Sequence, residues 1–149
     1  MAIVNKYPPL NTHFAVDFHS KEYGLDHKFQ SVDGLSVKLV KDEMRKEPIA
    51  QFQDIVLKRA YEPNSKLLAW CMDTINNKKY LHENFTIRLL DAKHETISAW
   101  DIEQALPVGW NIEELHAQDT RILIETITFK YSYFQILNSK GKKISPKTK

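Results

Sequence analysis

The sequence predicts a mainly β domain, a sandwich or barrel with one α-helix packed against it. Three observations carry this reading: period-two alternation of apolar and polar residues in most segments, a single amphipathic helical stretch, and a long alternating run near the C-terminus. At 149 residues, 42% of them hydrophobic and 27% charged, the chain has the composition of one soluble domain with enough interior to fold without cross-links.

The elements follow in order. Phe14, Val16 and Phe18 alternate with His13, Ala15 and Asp17, a half-buried strand over 13–18. Tyr7-Pro8-Pro9 before it is expected to be extended, because proline restricts its own φ and the residue ahead of it. After a loop containing Gly24, residues 28–32 form a short strand. Asp33-Gly34 then gives a turn signal before Leu35, Val37 and Leu39 resume alternation, so these two pieces read as a hairpin. From 40 to 53 the pattern decays into charged residues, an exposed long loop or extended arm and the first candidate for contacts outside the domain. A further strand over 54–59 places Ile55 and Leu57 on one side.

One helix starts at a cap formed by Asn64 or Ser65. Leu67, Leu68, Cys71 and Ile75 recur along it, with Trp70 and Thr74 beside them, and Asn76-Asn77-Lys78-Lys79 ends it. With one apolar face, this helix should lie on a sheet. Residues 84–91 return to strand with Phe85, Ile87 and Leu89 on one face. A short turn leads to a strand over 96–106, which Pro107 and Gly109 should break. A brief helical turn is expected over 112–117, then an unusually long last strand over 121–137.

Domain organisation is one unit over 1–137 and a flexible lysine-rich tail over 138–149. The tail carries Lys140, Lys142, Lys143, Lys147 and Lys149 without an acid; removing those five turns the formal +2 into −3. A slightly acidic body is a poor phosphate surface. No run reaches membrane-spanning length, and the N-terminus lacks a signal-like apolar core, so synthesis in the cytoplasm without a signal peptide is expected. The one cysteine fits a reducing site of synthesis.

Chemistry-bearing constellations are sparse. Cys71 falls on the apolar helix face, where a buried thiol is inert; a hydrolase pairing it with His94 or His116 requires thiol reactivity in the folded state. The six histidines form no helical metal pair, and Asp42/Glu43 and Glu113/Glu114 are adjacent acids that diverge. Glu125 lies between Leu123 and Ile127 on the apolar side of the last strand, so it needs a partner, with Arg59 and Arg88 the candidates. Phe129, Tyr131, Tyr133 and Phe134 suggest core or interface packing; the rival is a small β-barrel binding single-stranded nucleic acid or another ligand on that row. Neither catalytic residues, metal ligands nor a cofactor are expected.

The segments FAVDF at 14–18, FQSVDGL at 29–35 and IVLKR at 55–59, then LAWC at 68–71, FTIRLLD at 85–91, Ala99-Trp100, Ala105-Leu106-Pro107 and IETI at 124–127, occur in an order and spacing that resembles the tail-tube proteins of contractile phages and extracellular contractile injection systems. The likeness spans roughly residues 7 to 137. It implies a β-sandwich-like barrel with one helix, whose subunits join sheet edges into hexameric rings with a central channel. It also implies stacking on further rings or sister tube proteins, a spike, hub and baseplate at one end, a surrounding sheath and a lumen open to cargo. Membrane insertion and sequence-specific nucleic-acid binding are not implied. The stretch after Gly34 is shorter than in many tube subunits and lacks their glycines. Trp70-Cys71, Pro107-Val108-Gly109-Trp110 and Tyr131-Ser132-Tyr133-Phe134 look closer to the tube-initiator branch, and main tube and initiator both stay open. The interface residues expected on this reading are Lys41, Asp42, Glu43, Met44, Arg45, Lys46, Glu47 and Phe52. The working place of the protein would be an assembled tail or injection particle, extracellular after release.

Overall fold

The computed structural model describes residues 13–20 and 28–144; the Tyr7-Pro8-Pro9 and Gly24 expectations and the end of the tail lie outside them. Among the described residues nine strands and one helix follow in the order β1 (Phe14–Phe18), β2 (Ser31–Asp33), β3 (Val37–Val40), β4 (Ile49–Phe52), β5 (Ile55–Ala60), α1 (Lys66–Ile75), β6 (Glu83–Leu90), β7 (Thr96–Ile112), β8 (Ile124–Lys130) and β9 (Tyr133–Leu137). The main sheet runs β1-β6-β7-β8-β5-β2 with β9 also on β7, while β3 and β4 form a separate two-stranded ribbon.

Strand β7 is the spine of the fold. Its first half pairs with β6 on one side and β9 on the other, and its second half pairs with β8. Gln104, at φ 60, interrupts its alternation, so the inward positions run Trp100, Ile102, Ala105 and Pro107. The sheet thereby folds into two facing halves that share one strand, as at the corner of an orthogonal sandwich. Phe18 and Phe85 from one half meet Phe129 from the other at ring-centroid distances of 6.2 and 5.3 Å, and Trp70 of α1 reaches the same ring at 5.7 Å.

The expected break at Pro107 and Gly109 does not occur; β7 passes through both. Pro107 lies opposite Phe129 and Gly109 opposite Thr128, so Val108 is an extra residue in the ladder. Pairing to β6 ends at Ala105, which leaves this half of β7 with β8 as its only strand neighbour among the described residues. A residue without an N–H is tolerated at such a bulge on an edge.

The long last strand is divided. Glu125, Ile127 and Phe129 point inward on β8, whereas Phe134 does so on β9, so the alternation slips at Tyr131-Ser132. Both pieces nevertheless follow one edge of β7, with Ser132 donating to the Glu103 carbonyl at 2.9 Å between them.

The expected hairpin of 28–32 with 35–39 is also absent: β2 pairs with β5, and β3 with β4. Gly34 explains the parting. At φ +100, with the Asp54 carbonyl oxygen 2.0 Å from where a Cβ would stand, it lets the chain leave β2 hard against the start of β5. The segment read as loop or arm is an arm, and it contains strand β4. No helical turn forms at 112–117; the chain there is irregular with a turn at Ala117-Gln118.

The Ser65 side chain caps α1, accepting from Leu68 N at 3.0 Å. The buried face is Leu67, Trp70, Cys71 and Thr74, rotated from the expected stripe so that Ile75 is exposed.

Candidate assembly interface

Strands β3 and β4 make a ribbon that packs on itself and, among the described residues, makes no extensive contact with another element. Its root is fixed in three ways. Gln53 N donates to the Ser36 carbonyl at 3.0 Å, and the Tyr131 hydroxyl donates to the Gln53 carbonyl at 2.6 Å. Phe52 lies edge-on to Tyr131 and Phe134, at 5.9 and 5.0 Å. Desolvation at this root, followed by the nearby Asp54 carboxylate, pushes the Tyr131 phenol up to about 12.

Cross-strand register places Val37 and Leu39 on the same face as Phe52 and Ala50. Leu39 is 69% exposed and Met44 at the tip 91%. The expected interface residues thus divide into two groups. Lys41 to Glu47 occupy the solvent-facing tip, where Asp42 accepts from Met44 N and lies 3.7 Å from Arg45. Phe52 is turned to the body and serves as the anchor. What sequence reasoning did not name is the apolar face of Val37 and Leu39 as a contact surface; it assigned their alternation to a hairpin with residues 28–32.

The sheet rims add further open backbone. Among the described residues β1 and β2 each have one strand neighbour, as does the second half of β7. Unpaired N–H and C=O groups on such rims are joining surfaces for another chain.

Beneath the rim the interior is tied by a charged network. Arg59 Nε donates to Glu125 Oε1 at 2.8 Å, Trp110 Nε1 to Glu125 Oε2 at 2.8 Å, and Arg59 Nη2 to the Ser65 hydroxyl at 2.7 Å. Arg59 and Glu125 are 1% and 0% exposed, so β5, β8, β7 and the helix cap meet at one buried ion pair. Arg88, the other candidate partner, instead binds Asp17 at 2.5 Å. Cys71 is fully buried; desolvation, reinforced by the Glu125 charge and opposed by Arg59, pushes its thiol up to about 12. Neither His94 nor His116 approaches it: His94 sits in the β6–β7 turn with its ring 5.5 Å from that of His13, and His116 pairs with Glu114 at 3.4 Å. No group of three or more His, Cys, Asp or Glu among the described residues is arranged to hold a metal ion.

The aromatic row does not form a stacking platform. Phe129 and Phe134 are buried and Tyr131 is engaged at the ribbon root, which leaves Tyr133 alone on the surface. No helix among the described residues is long and apolar enough to cross a membrane.

Comparison with known proteins places this architecture. No curated protein matches the sequence. The fold is similar to that of a chain in the six-fold symmetrised baseplate of the anti-feeding prophage, with TM-score 0.73, 21% identity, and coverage of 91% of this chain and 99% of that one. It is also similar to a chain of the PVC sheath-tube complex, an extracellular contractile injection system in its extended state, with TM-score 0.71, 20% identity, and coverage of 89% and 93%. Hcp1 from Flavobacterium johnsoniae shares the fold more distantly, with TM-score 0.56, 12% identity, and coverage of 88% and 97%. Residues 10–135 match the T4-like virus tail tube protein gp19 family, and the chain therefore belongs to that family of tail-tube proteins.

Proposed function

We propose that this chain is a structural subunit of the inner tube of a contractile injection system or contractile phage tail, and that its copies close into hexameric rings around a channel. The observation that carries the reading is the combination, among the described residues, of open sheet rims with a ribbon that extends from the body and is held at its root. The rims complete one another between neighbours in a ring. The ribbon, through Lys41–Glu47 at its tip and Leu39 on its apolar face, contacts the adjacent ring or subunit.

The six-fold baseplate and the sheath-tube complex whose chains share this fold support the same picture. Both a main-tube position and an initiator position beside the hub are compatible with it. Its partners are then copies of itself or sister tube proteins, a hub and baseplate at one end, and a sheath outside. The work is geometric and the subunit non-catalytic.

Electron microscopy of the purified protein, or of particles that carry it, is expected to show six-fold rings or tubes with a central channel. A monomer at high concentration that stays monomeric with hub and sheath partners present would overturn the reading.

A further inference from the structure

The two ends of β7 carry surfaces of opposite character. Beyond its C-terminal end the loop from Glu113 to Leu123 is closed at its base by Glu113 N donating to the Ile124 carbonyl at 3.3 Å. It presents Leu115 and Ile122, 74% and 66% exposed, among Glu113, Glu114 and Asp119, with Arg121 the only lysine or arginine. An open depression of about 470 Å³ lies within this loop.

At the other end, beside the first half of β7, the chain leaving β9 turns back on itself. Asn138 N donates to the Lys142 carbonyl at 2.7 Å, Gly141 takes φ +79, and Ile144 N donates to the Ile136 carbonyl at 2.9 Å. This turn presents Ile136 and Ile144, 43% and 59% exposed, beside Lys140, Lys142 and Lys143. No acid lies between Asn138 and the end of the chain, where Lys147 and Lys149 add to the same sign.

Each surface is thus a pair of exposed aliphatic side chains rimmed by one dominant sign of charge, and the signs are opposite. Ala99, which pairs with Leu137 at the basic end, is separated from Ile112 at the acidic end by roughly 40 Å of strand contour at about 3.3 Å per residue. The two surfaces lie at opposite ends of β7, and the partner considered for each is its complement on another copy of the chain.

We propose that the acidic loop of one copy receives the lysine turn of the next, a head-to-tail contact in which Leu115 and Ile122 meet Ile136 and Ile144 while Glu114 and Asp119 face Lys140, Lys142 and Lys143. A contact between two different patches of the same chain propagates from copy to copy, whereas a two-fold contact ends at a dimer. The apolar centre supplies attraction, and the charged rim fixes direction by setting like charges together when the copy is reversed. This contact rests on the tube-subunit reading and gives it a polarity.

The test is a cysteine pair, Leu115→Cys with Ile144→Cys, in the full chain under mild oxidation, with the assembly state followed in parallel by electron microscopy. The expected result is a ladder of cross-linked oligomers from the double variant and at most dimers from either single variant. Rings or tubes without a ladder overturn this contact and leave the tube reading standing; failure to assemble at all overturns both. A second measurement uses charge. Glu114→Lys with Asp119→Lys, and separately Lys140→Glu with Lys142→Glu and Lys143→Glu, should each reduce assembly at low salt by tenfold or more. Mixing the two variants should restore assembly, as oligomers in which the two variants alternate. Full assembly of either variant alone overturns the proposal.

Discussion

Glu125 is the residue whose role the sequence exposed most directly, because an acid between Leu123 and Ile127 on an apolar face must be answered by a cation. The cation is Arg59, and what sequence could not reveal is that Trp110 and Ser65 complete the same network, since that depends on three-dimensional proximity across four elements. Breaking one side of a buried pair leaves a charge without its counter-ion. Glu125→Leu is therefore expected to lower stability by about 3–5 kcal/mol, measured by denaturant unfolding of the subunit. The double variant Arg59→Met with Glu125→Leu should cost distinctly less than Glu125→Leu alone. Cys71 provides a second residue-level expectation. Its thiol is protonated in the folded state up to about pH 12, whereas the unfolded thiol ionises near 9.0, so the folded chain holds the extra proton between those values. Stability should then be unaffected below pH 9 and fall as pH rises through this window, less steeply in Cys71→Ala. A thiol reagent at pH 8 should label Cys71 only on unfolding; labelling of the folded subunit would contradict the burial.

Among the elements, strands with clean alternation were legible: β1, β5 and β6 fall within a residue or two of where periodicity places them, with Val16, Leu57 and Phe85 in the core. The misreadings share one cause, which is that tertiary pairing overrode a local signal. Asp33-Gly34 is a good turn dipeptide, yet Val32 lies opposite Leu57 and the turn directs the chain away from β2. Pro107 and Gly109 are good strand breakers, yet the rim position of that half of β7 removes the need for the missing N–H. The helix stripe was misplaced by one position because Thr74, which bonds the Trp70 carbonyl at 2.9 Å, is buried where Ile75 was expected. In the candidate interface, the charged tip from Lys41 to Glu47 was legible as exposed, but the alternation of Val37 and Leu39 read as a hairpin with 28–32 and not as the face of a separate ribbon. Replacing residues 41–48 by Asn-Gly should leave the thermal midpoint of the isolated subunit within about 2 °C, since the tip makes no core contact, while reducing assembly at least tenfold in sedimentation. A large fall in the midpoint would mean that the ribbon belongs to the core.

For the molecule as a whole, composition and periodicity gave the fold class, and the order of motifs gave the family, but neither reveals that two sheet halves share β7. Shared membership has a thermodynamic signature. Because the aromatic cluster of Phe18, Phe85, Trp70 and Phe129 draws on both halves and the helix, neither half retains an interior when the other is lost. The unassembled subunit should unfold in one calorimetric transition with equal calorimetric and van't Hoff enthalpies; two resolved transitions would show that the halves are separable. The same spine bears on mechanics. A strand flanked by β6 on one side and by β8 and β9 on the other cannot be peeled bond by bond when it is pulled along its own axis. Both flanking ladders carry such a load simultaneously, so the subunit should resist lengthwise traction like a lap joint and open far more readily when tugged crosswise from a rim.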